Sequence, residues 1–386
     1  MDKPLPGKMI PYARHDVDER DIEAVAQVLR SGWLTTGPAV AQFERAVGDR
    51  VGSAEAVAVS SGTAALHCAL SALNLGPGDE VIVPPLTFVA TASTVLHAGG
   101  VPVFADVLPG TLLLDPACVE RALTPATRAV ITVDYAGQPS HYDQLRELTR
   151  ACGIMLLADA CHALGAEDAG RKVGSLADIT LFSFHPAKHI TSGEGGMATL
   201  HDPDLAAVMR RFRNHGIDAD LHNRAEAKTW RYAVTDLGLN YRLTDFQCAL
   251  GLSQLSRLDE FLADRREVAL AYDKAFAGHS LVRPLEVRPE TLHAYHLYVV
   301  RVDFAAAGLD KETVYRRLLD AGIGVNVHYV PVHLHPYYRQ RFKTSEGLCP
   351  VAERAYEDIF SLPMFPGLST ADVARVVEQL DRALMP

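Results

Sequence analysis

The sequence lacks several features that would place it in other broad classes of protein. No apolar run approaches the roughly 20 residues that a membrane helix needs. The six cysteines have no CxxC spacing, so we expect neither a disulfide framework nor a metal site built on them. Acidic residues outnumber basic ones by 47 to 37, and the net charge of −10 argues against nucleic acid or an anionic membrane as a partner. The N-terminus lacks the apolar stretch of a signal peptide, so we expect a cytoplasmic protein.

The first half of the chain has the pattern of an α/β protein. Short apolar runs alternate there with segments of helical periodicity, which predicts βαβ units and a mainly parallel sheet covered on both faces. The predicted strands are Ala56–Val59, Glu80–Val83, Val101–Ala105, Ala129–Val133, Ile154–Ala158 and Ile179–Phe184.

The second half predicts a smaller α+β domain. We place the large domain at residues 1–255 and the small domain at 256–386, with one long boundary helix at about 243–275. The elements predicted after that helix are a strand at Tyr295–Val302, a helix at Lys311–Ala321, a short strand at Val325–His328 and a terminal helix at Thr370–Leu384.

An aspartate and a lysine follow two neighbouring strands of the predicted sheet. Asp159 directly follows the fifth run, and Lys188 lies five residues after Ser183, near the end of the sixth run. Ligands collect at the carboxyl ends of parallel strands. A carboxylate that pairs with a pyridine nitrogen and a lysine that forms a Schiff base are what pyridoxal phosphate (PLP) requires. Taken singly, each residue is more often a solvated surface lysine or a turn aspartate.

Other segments supply what the rest of such a cofactor needs. The turn Ser60–Ala64 lies between a strand and a helix, where free N–H groups and the helix dipole bind an anion. Ser183 offers a further hydroxyl, and Phe88 offers a ring for stacking, although an aromatic residue there is more often part of the core. The run Gly193–Gly196 gives the chain room to double back beside the lysine.

The motifs resemble those of one family over nearly the whole chain. SFHPAKHITSGEGG, DACHALGA, SSGTAALHCAL and LGLNYRLTDFQCALGLSQL are similar to the DegT/StrS-type sugar-nucleotide aminotransferases, which are PLP enzymes of the aspartate-aminotransferase fold (fold type I). FHPAKHITSGEGG, YAGQP, RNHGI, HAYHLY and VHYVPVHLHPYY resemble the branch that makes UDP-4-amino-4,6-dideoxy-N-acetyl-β-L-altrosamine for pseudaminic acid.

The resemblance implies a role for each matching residue. Lys188 would be the Schiff-base lysine and Asp159 the partner of the pyridine nitrogen. The other implied cofactor contacts are Gly62, Thr63 and Ser183 to the phosphate, Phe88 and His162 to the ring, and Asn240 to the phosphate of the neighbouring subunit. That last contact implies a homodimer with two shared active sites.

The resemblance also implies a substrate and a sugar-binding side. L-Glutamate would convert PLP to pyridoxamine phosphate, which would aminate C4 of a UDP-4-keto-6-deoxy-N-acetylhexosamine. The expected sugar-side residues are Trp33, Thr35, His185, Arg242, His328 and Tyr329. His185 could equally orient its loop, and Arg242 could equally bridge the dimer surface. His328, His333 and His335 lack the spacing and carboxylate partners of a metal site, so we expect none.

Alternative functions stay open at this point. The core motifs are shared by aminotransferases for other nucleotide 4-keto sugars, such as UDP-4-keto-pentose and GDP- or dTDP-4-keto-6-deoxyhexoses. A PLP-dependent sugar dehydratase is disfavoured by Lys188, because related dehydratases have histidine at that position. A non-enzymatic sensor is a third interpretation, disfavoured by the absence of a basic patch or DNA-binding motif.

Overall fold

The computed structural model describes residues 9–218 and 228–385, and its centre is a mainly parallel sheet. The strand order is β1-β9-β8-β5-β4-β2-β3, and β9 is antiparallel to both β1 and β8. The strands of this sheet are β1 (Glu55–Val59), β2 (Glu80–Val83), β3 (Val101–Phe104), β4 (Thr127–Val133), β5 (Met155–Asp159), β8 (Ile179–Ser183) and β9 (Gly196–Leu200). The short strands β6 (Glu167–Asp168) and β7 (Arg171–Lys172) lie between β5 and β8 in the chain.

Helices cover both faces of this sheet. Successive residues of β8 show this, because Phe182 packs in a core with Phe43 on one face, while Leu181 packs with Leu66 on the other. Burial on both faces removes the alternation of polar and apolar residues, which is why these strands read as continuous apolar runs. The helices of the first half are α1 (Glu19–Ser31), α2 (Pro38–Val51), α3 (Gly62–Ser71), α4 (Ala90–His97), α5 (Pro116–Ala122), α6 (Tyr142–Cys152) and α7 (Pro203–Phe212).

A second hydrophobic core lies in the C-terminal part. It packs α9 and α14 against an antiparallel sheet of order β10-β12-β13, and Ile10 from the start of the chain joins it. The strands here are β10 (Val282–Pro284), β11 (Thr291–Leu292), β12 (Tyr298–Val302) and β13 (Ile359–Leu362). The helices are α8 (Asp245–Leu255), α9 (Leu258–Phe276), α10 (Phe304–Ala307), α11 (Lys311–Asp320), α12 (Pro336–Phe342), α13 (Pro350–Asp358) and α14 (Thr370–Ala383).

The predicted α/β class is confirmed, and two local predictions differ from the structure. The segment predicted as one boundary helix contains two, α8 and α9, which are separated at Ser256 and Arg257. Arg257 leaves the helical conformation there, and its guanidinium pairs with the buried Asp21 of α1. The strand predicted at Val325–His328 is reduced to one bridge, between Asn326 and Ser361. The domain division at residue 255 stays a prediction.

The helices also bear on the expectation, drawn from the lack of long apolar runs, about membrane-spanning segments. Among the residues that the structure describes, no helix combines the length and the apolar character needed to cross a bilayer.

Candidate active site

Asp159 is held at the carboxyl end of β5 with both carboxylate oxygens engaged. It is the last residue of the strand and is 7% exposed. The Thr91 hydroxyl, from the first turn of α4, donates to Oδ2 at 2.8 Å, and the backbone N–H of Cys161 donates to Oδ1 at 3.3 Å. The carboxylate is therefore fixed in position and points away from bulk solvent.

Lys188 lies after β8, as the sequence predicts, in a loop that leads into β9. Its backbone N–H donates to the carbonyl of His185 at 2.8 Å, which fixes the loop beside the end of the strand. Its Nζ lies 3.4 Å from Nε2 of His296. Burial lowers the pKa of the Lys188 amine, and nearby Cys161 and Asp159 oppose that effect. A buried amine with a lowered pKa gives up its proton more readily than a surface lysine.

The turn at the start of α3 lies against Ser183. Ser61 caps the helix, and its hydroxyl accepts from the N–H of Ala64 at 3.1 Å. A Cβ at Gly62 would be 3.0 Å from Cβ of Ser183 and 3.1 Å from Sγ of Cys161, so only glycine fits without displacing a neighbour. The turn, Ser183 and Cys161 therefore border one small space at the N-terminal end of α3, where a helix favours an anion.

Strand β9 makes this approach of the turn and the lysine loop possible. A Cβ at Gly196, the first residue of β9, would be 2.3 Å from the carbonyl oxygen of Ser61. Gly193 has φ +80°, in the left-handed region. The glycine-rich run thus lets the chain turn back after Lys188, as the sequence predicts, and it also packs directly on the turn at Ser61.

His162 and Tyr329 form one wall of the site. Nε2 of His162 and the Tyr329 hydroxyl are 3.1 Å apart, and the His162 ring centroid is 4.3 Å from that of His296. Burial, followed by the nearby charge of Lys188, holds the pKa of His162 well below its usual value, so this imidazole is neutral. Phe88 is 58% exposed, and its ring centroid lies 6.3 Å from that of Tyr329.

These groups fit PLP. A fixed carboxylate suits a protonated pyridine nitrogen, a glycine turn at a helix N-terminus suits a phosphate, and a lysine amine suits an aldehyde. Thr63 is exposed in the first turn of α3. Nδ1 of both His162 and His296 is buried and has no hydrogen-bond partner in the described chain, so each is available to a bound group.

The structure places part of the expected sugar side elsewhere. Thr35 and Arg242 line a surface cavity of about 770 Å³, whose lining in the described chain excludes Lys188. Arg242 donates to the Asn214 side chain at 2.7 Å, and Asn240, which is exposed, pairs with Asn214 through the backbone. Trp33 is also exposed, at 45%. Within one subunit, the described contacts do not join these residues to Lys188.

The histidines of the expected sugar side have different surroundings. His328 is buried next to Tyr329, and burial lowers its pKa to about 4. His185 is exposed, and its Nδ1 accepts from the N–H of Ala187 at 3.2 Å, which favours the loop-orienting role. His333 has a carboxylate partner, which the sequence around it does not reveal. Its Nε2 is 2.8 Å from Oε1 of Glu353. That pair ties two segments of the C-terminal part together.

Three residues at the site were not singled out from the sequence. Thr91 bonds the carboxylate of Asp159, and His296 contacts Lys188. Arg265 of α9 is fully buried and donates to the carbonyls of Tyr295 and His296. Thr91 lies one helical turn after Phe88, a spacing that would have indicated it. His296 lies within the motif HAYHLY, but both His296 and Arg265 are distant in sequence from Lys188, and nothing local indicates that they lie beside it.

Comparison with known proteins gives a consistent result. The model of the DegT/DnrJ/EryC1/StrS aminotransferase family matches residues 15–381. The spore coat polysaccharide biosynthesis protein SpsC of Bacillus subtilis (strain 168) is 42% identical over 372 residues, which is 96% of this chain and 95% of SpsC. These matches cover nearly the whole chain.

Solved structures agree with the sequence comparison. Helicobacter pylori PseC, an aminotransferase involved in the biosynthesis of pseudoaminic acid, superposes with a TM-score of 0.91 at 31% identity, covering 98% of this chain and 99% of PseC. Spr1654 of Streptococcus pneumoniae in its PMP-form has a TM-score of 0.91 at 32% identity over 97% of this chain and 99% of that one. Its PLP-form and apo-form both give 0.90. The predictions of the family and of PLP dependence are confirmed: the chain belongs to the DegT/DnrJ/EryC1/StrS aminotransferase family.

Proposed function

We propose that this aminotransferase moves an amino group from L-glutamate to C4 of a nucleotide-linked 4-keto-6-deoxy sugar, and that the sugar is a UDP-4-keto-6-deoxy-N-acetylhexosamine. The observation that carries the proposal is the convergence of Asp159, Lys188 and the Gly62 turn in one buried site. The similarity to PseC and SpsC, both named for carbohydrate biosynthesis, supports a sugar as the amino acceptor.

The residues of this chain would divide the work of holding PLP. Asp159, fixed by Thr91, would pair with the pyridine nitrogen. Gly62, Thr63 and Ser183 would bind the phosphate, while Phe88 and His162 would flank the ring. PLP supplies the electron sink that makes a carbon–hydrogen bond next to an amine acidic. His162, being neutral, can accept or donate a hydrogen bond without adding charge beside the ring.

Lys188 would carry the protons. Its amine would take the proton from the α-carbon of glutamate and later return a proton to C4 of the sugar. Partial burial suits this role, because the lowered pKa of the amine leaves more of it unprotonated near neutral pH. Burial of the surrounding wall, including His296 and His328, keeps water away from the reacting carbon.

We further infer a homodimer in which each site uses both subunits. Asn240 and Arg242 are displayed on the surface near a large cavity, and apolar side chains around them are exposed, with Leu237 at 91%. Exposed apolar patches of this kind are typical of protein–protein interfaces. A partner subunit would bring its Asn240 to the phosphate-binding turn and its sugar-side residues to the mouth of the site.

The experiment that tests the proposal uses a panel of substrates. The purified enzyme is incubated with L-glutamate and UDP-, GDP- and dTDP-linked 4-keto sugars, and the products are identified by mass spectrometry and NMR. We expect an aminated UDP-N-acetylhexosamine and stoichiometric 2-oxoglutarate. Amination of a GDP- or dTDP-sugar, or of a UDP-pentose, would move the assignment to that substrate. Ammonia without any aminated sugar would establish a dehydratase and overturn the proposal.

A further inference from the structure

Lys188 contacts a histidine, His296, to which the function proposed above gives no part in proton transfer. His296 belongs to the segment that connects β11 to β12 and is 5% exposed. Its Nε2 is 3.4 Å from Nζ of Lys188, and this is the hydrogen bond of Nζ in the part of the chain that the structure describes. A lysine ammonium has three hydrogen-bond donors and no acceptor. In a buried site, the group that accepts a hydrogen bond from it therefore determines how stable the charged form is.

His296 is a neutral imidazole rather than a second cation, so its Nε2 can accept a hydrogen bond from an ammonium. Burial holds its pKa well below the usual value, and the charge of Lys188 adds to this effect. Its ring lies between two further buried imidazoles, with centroids 4.3 Å from His162 and 5.6 Å from His189. A neutral imidazole that accepts at Nε2 carries its proton on Nδ1, and that atom is buried without a protein partner in the described chain.

The backbone around His296 is pinned on both sides. Arg265 donates from Nη1 to the carbonyls of Tyr295 at 3.1 Å and His296 at 3.3 Å. The N–H of Ala294 donates to Gly137 at 2.9 Å, and the N–H of Leu297 donates to Ala136 at 3.1 Å. The imidazole is therefore presented to Lys188 by a fixed segment, not by a mobile side chain on a free loop.

Other ionisable groups also face Lys188, and each acts through space. Asp159 and Cys161 favour the ammonium, whereas the buried guanidinium of Arg265 disfavours it. The further groups are His162, His189 and His328 around the amine, and Arg14, His15 and Asp16 along a narrow cleft that also borders Lys188.

We propose that His296 is the hydrogen-bond acceptor that holds the ammonium form of Lys188 and so stabilises the proton that Lys188 carries between the amino donor and the sugar. The proton stays on Nζ, and the imidazole stays neutral. The inference rests on the proposed function only in making Lys188 the proton carrier. His296 then acts whenever the amine of Lys188 is free of the cofactor.

The test measures the protonation of Lys188 directly in the apoenzyme. Apoenzyme is labelled with acetic anhydride at a series of pH values, and the peptide that contains Lys188 is quantified by mass spectrometry. The pH midpoint of labelling reports the pKa of the Lys188 amine, and it does not depend on catalytic turnover. In His296→Leu we expect the midpoint to fall by about one to two pH units, because a hydrogen bond to a charged group is lost while burial persists.

Two variants separate a specific effect from damage to the segment. His296→Gln retains an amide oxygen close to the place of Nε2 and should restore most of the midpoint. His293→Asn alters a buried histidine of the same segment, whose Nδ1 accepts from the N–H of Tyr295 at 2.8 Å, and should leave the midpoint unchanged. If His296→Leu does not fold, His296→Asn replaces it, since its shorter amide does not reach Nζ.

The outcomes discriminate between the inference and the proposed function. A midpoint in His296→Leu equal to or above that of the wild type overturns the inference, because His296 would then not support the charged amine. PLP added before labelling should protect Lys188 in the wild-type protein. Absence of that protection would overturn the cofactor role of Lys188 whatever the midpoint of the variant.

Discussion

The hydroxyl of Thr91 donates a hydrogen bond of 2.8 Å to Oδ2 of Asp159, joining the first turn of α4 to the end of β5. Thr91 also lies 2.6 Å from the hydroxyl of Thr87, so a short chain of hydroxyls ends on the carboxylate. The bond fixes the position of the carboxylate that would pair with a protonated pyridine nitrogen.

Substitution Thr91→Val should therefore weaken PLP binding without removing any proposed direct contact to the cofactor. We expect the dissociation constant of PLP to rise roughly tenfold or more, the effect of losing one hydrogen bond to a charged group. Absorbance titration of apoenzyme with PLP measures it. Thr91→Ser keeps the hydroxyl and should bind within about twofold of the wild type. Equal weakening in both variants would point to packing instead of the hydrogen bond.

Substitution Gly62→Ala tests the turn at α3. The added methyl would lie 3.0 Å from Cβ of Ser183 and 3.1 Å from Sγ of Cys161, so the turn or β8 must shift. We expect PLP affinity to fall by at least about tenfold, since displaced N–H groups no longer converge on one anion. Gly76→Ala is the matched control, because the nearest atom to its new methyl is 3.6 Å away. Unchanged affinity in Gly62→Ala would remove this turn from the phosphate site.

The cofactor-binding strands could be predicted from the sequence because both faces of the sheet are buried. Asp159 and Lys188 each follow an apolar run, and parallel strands place such positions at one edge. Strand β9 was not among the predicted strands. It is five residues long, and Gly196 and Thr199 interrupt its apolar residues, so the segment GMATL does not form the continuous apolar run that marks the other strands.

Contacts between distant segments were beyond sequence reasoning. His296 and Lys188 are 108 residues apart, and their contact depends on how the segment before β12 packs on the sheet. The break between α8 and α9 has a similar cause, because a buried ion pair from Arg257 to Asp21 competes with helix continuation. The helix propensity of a local segment contains no information about partners so distant in the chain.

Shared active sites can be tested by mixing two inactive variants. Lys188→Ala should abolish activity in its own site, and Asn240→Asp should place a negative charge beside the phosphate of the partner's site. In a mixed dimer, one site then carries both changes and the other carries neither. Random reassortment should restore up to about a quarter of wild-type activity. No recovery after verified subunit exchange would exclude the sharing proposed for Asn240.

Asp134 should make the stability of the protein depend on pH. It is fully buried, and its carboxylate accepts from the Ser140 hydroxyl at 2.7 Å and the Tyr142 hydroxyl at 2.6 Å. Burial nevertheless raises its pKa from 3.8 to about 6. Folding therefore favours the protonated form of Asp134. The contribution of Asp134 to the free energy of unfolding is full below about pH 4 and is lost as the pH rises through 6.

Substitution Asp134→Asn removes this titration. The free energy of unfolding of the wild type relative to the variant should fall by about 2 kcal/mol between pH 4 and pH 6.5. Urea denaturation at both pH values measures the difference, with the exposed Asp49→Asn as control. An unchanged difference across that range would show that Asp134 is ionised throughout.

Strand β9 lies between β1 and β8 but follows both of them in the chain. During synthesis, the Ser61 turn and Lys188 therefore leave the ribosome before the strand that packs them together. A nascent chain that stops before Gly196 contains the main proposed cofactor ligands of one subunit, yet it lacks the element that sets the turn beside the lysine loop. We therefore expect a growing polypeptide to capture PLP only after β9 has emerged and paired with β1 and β8.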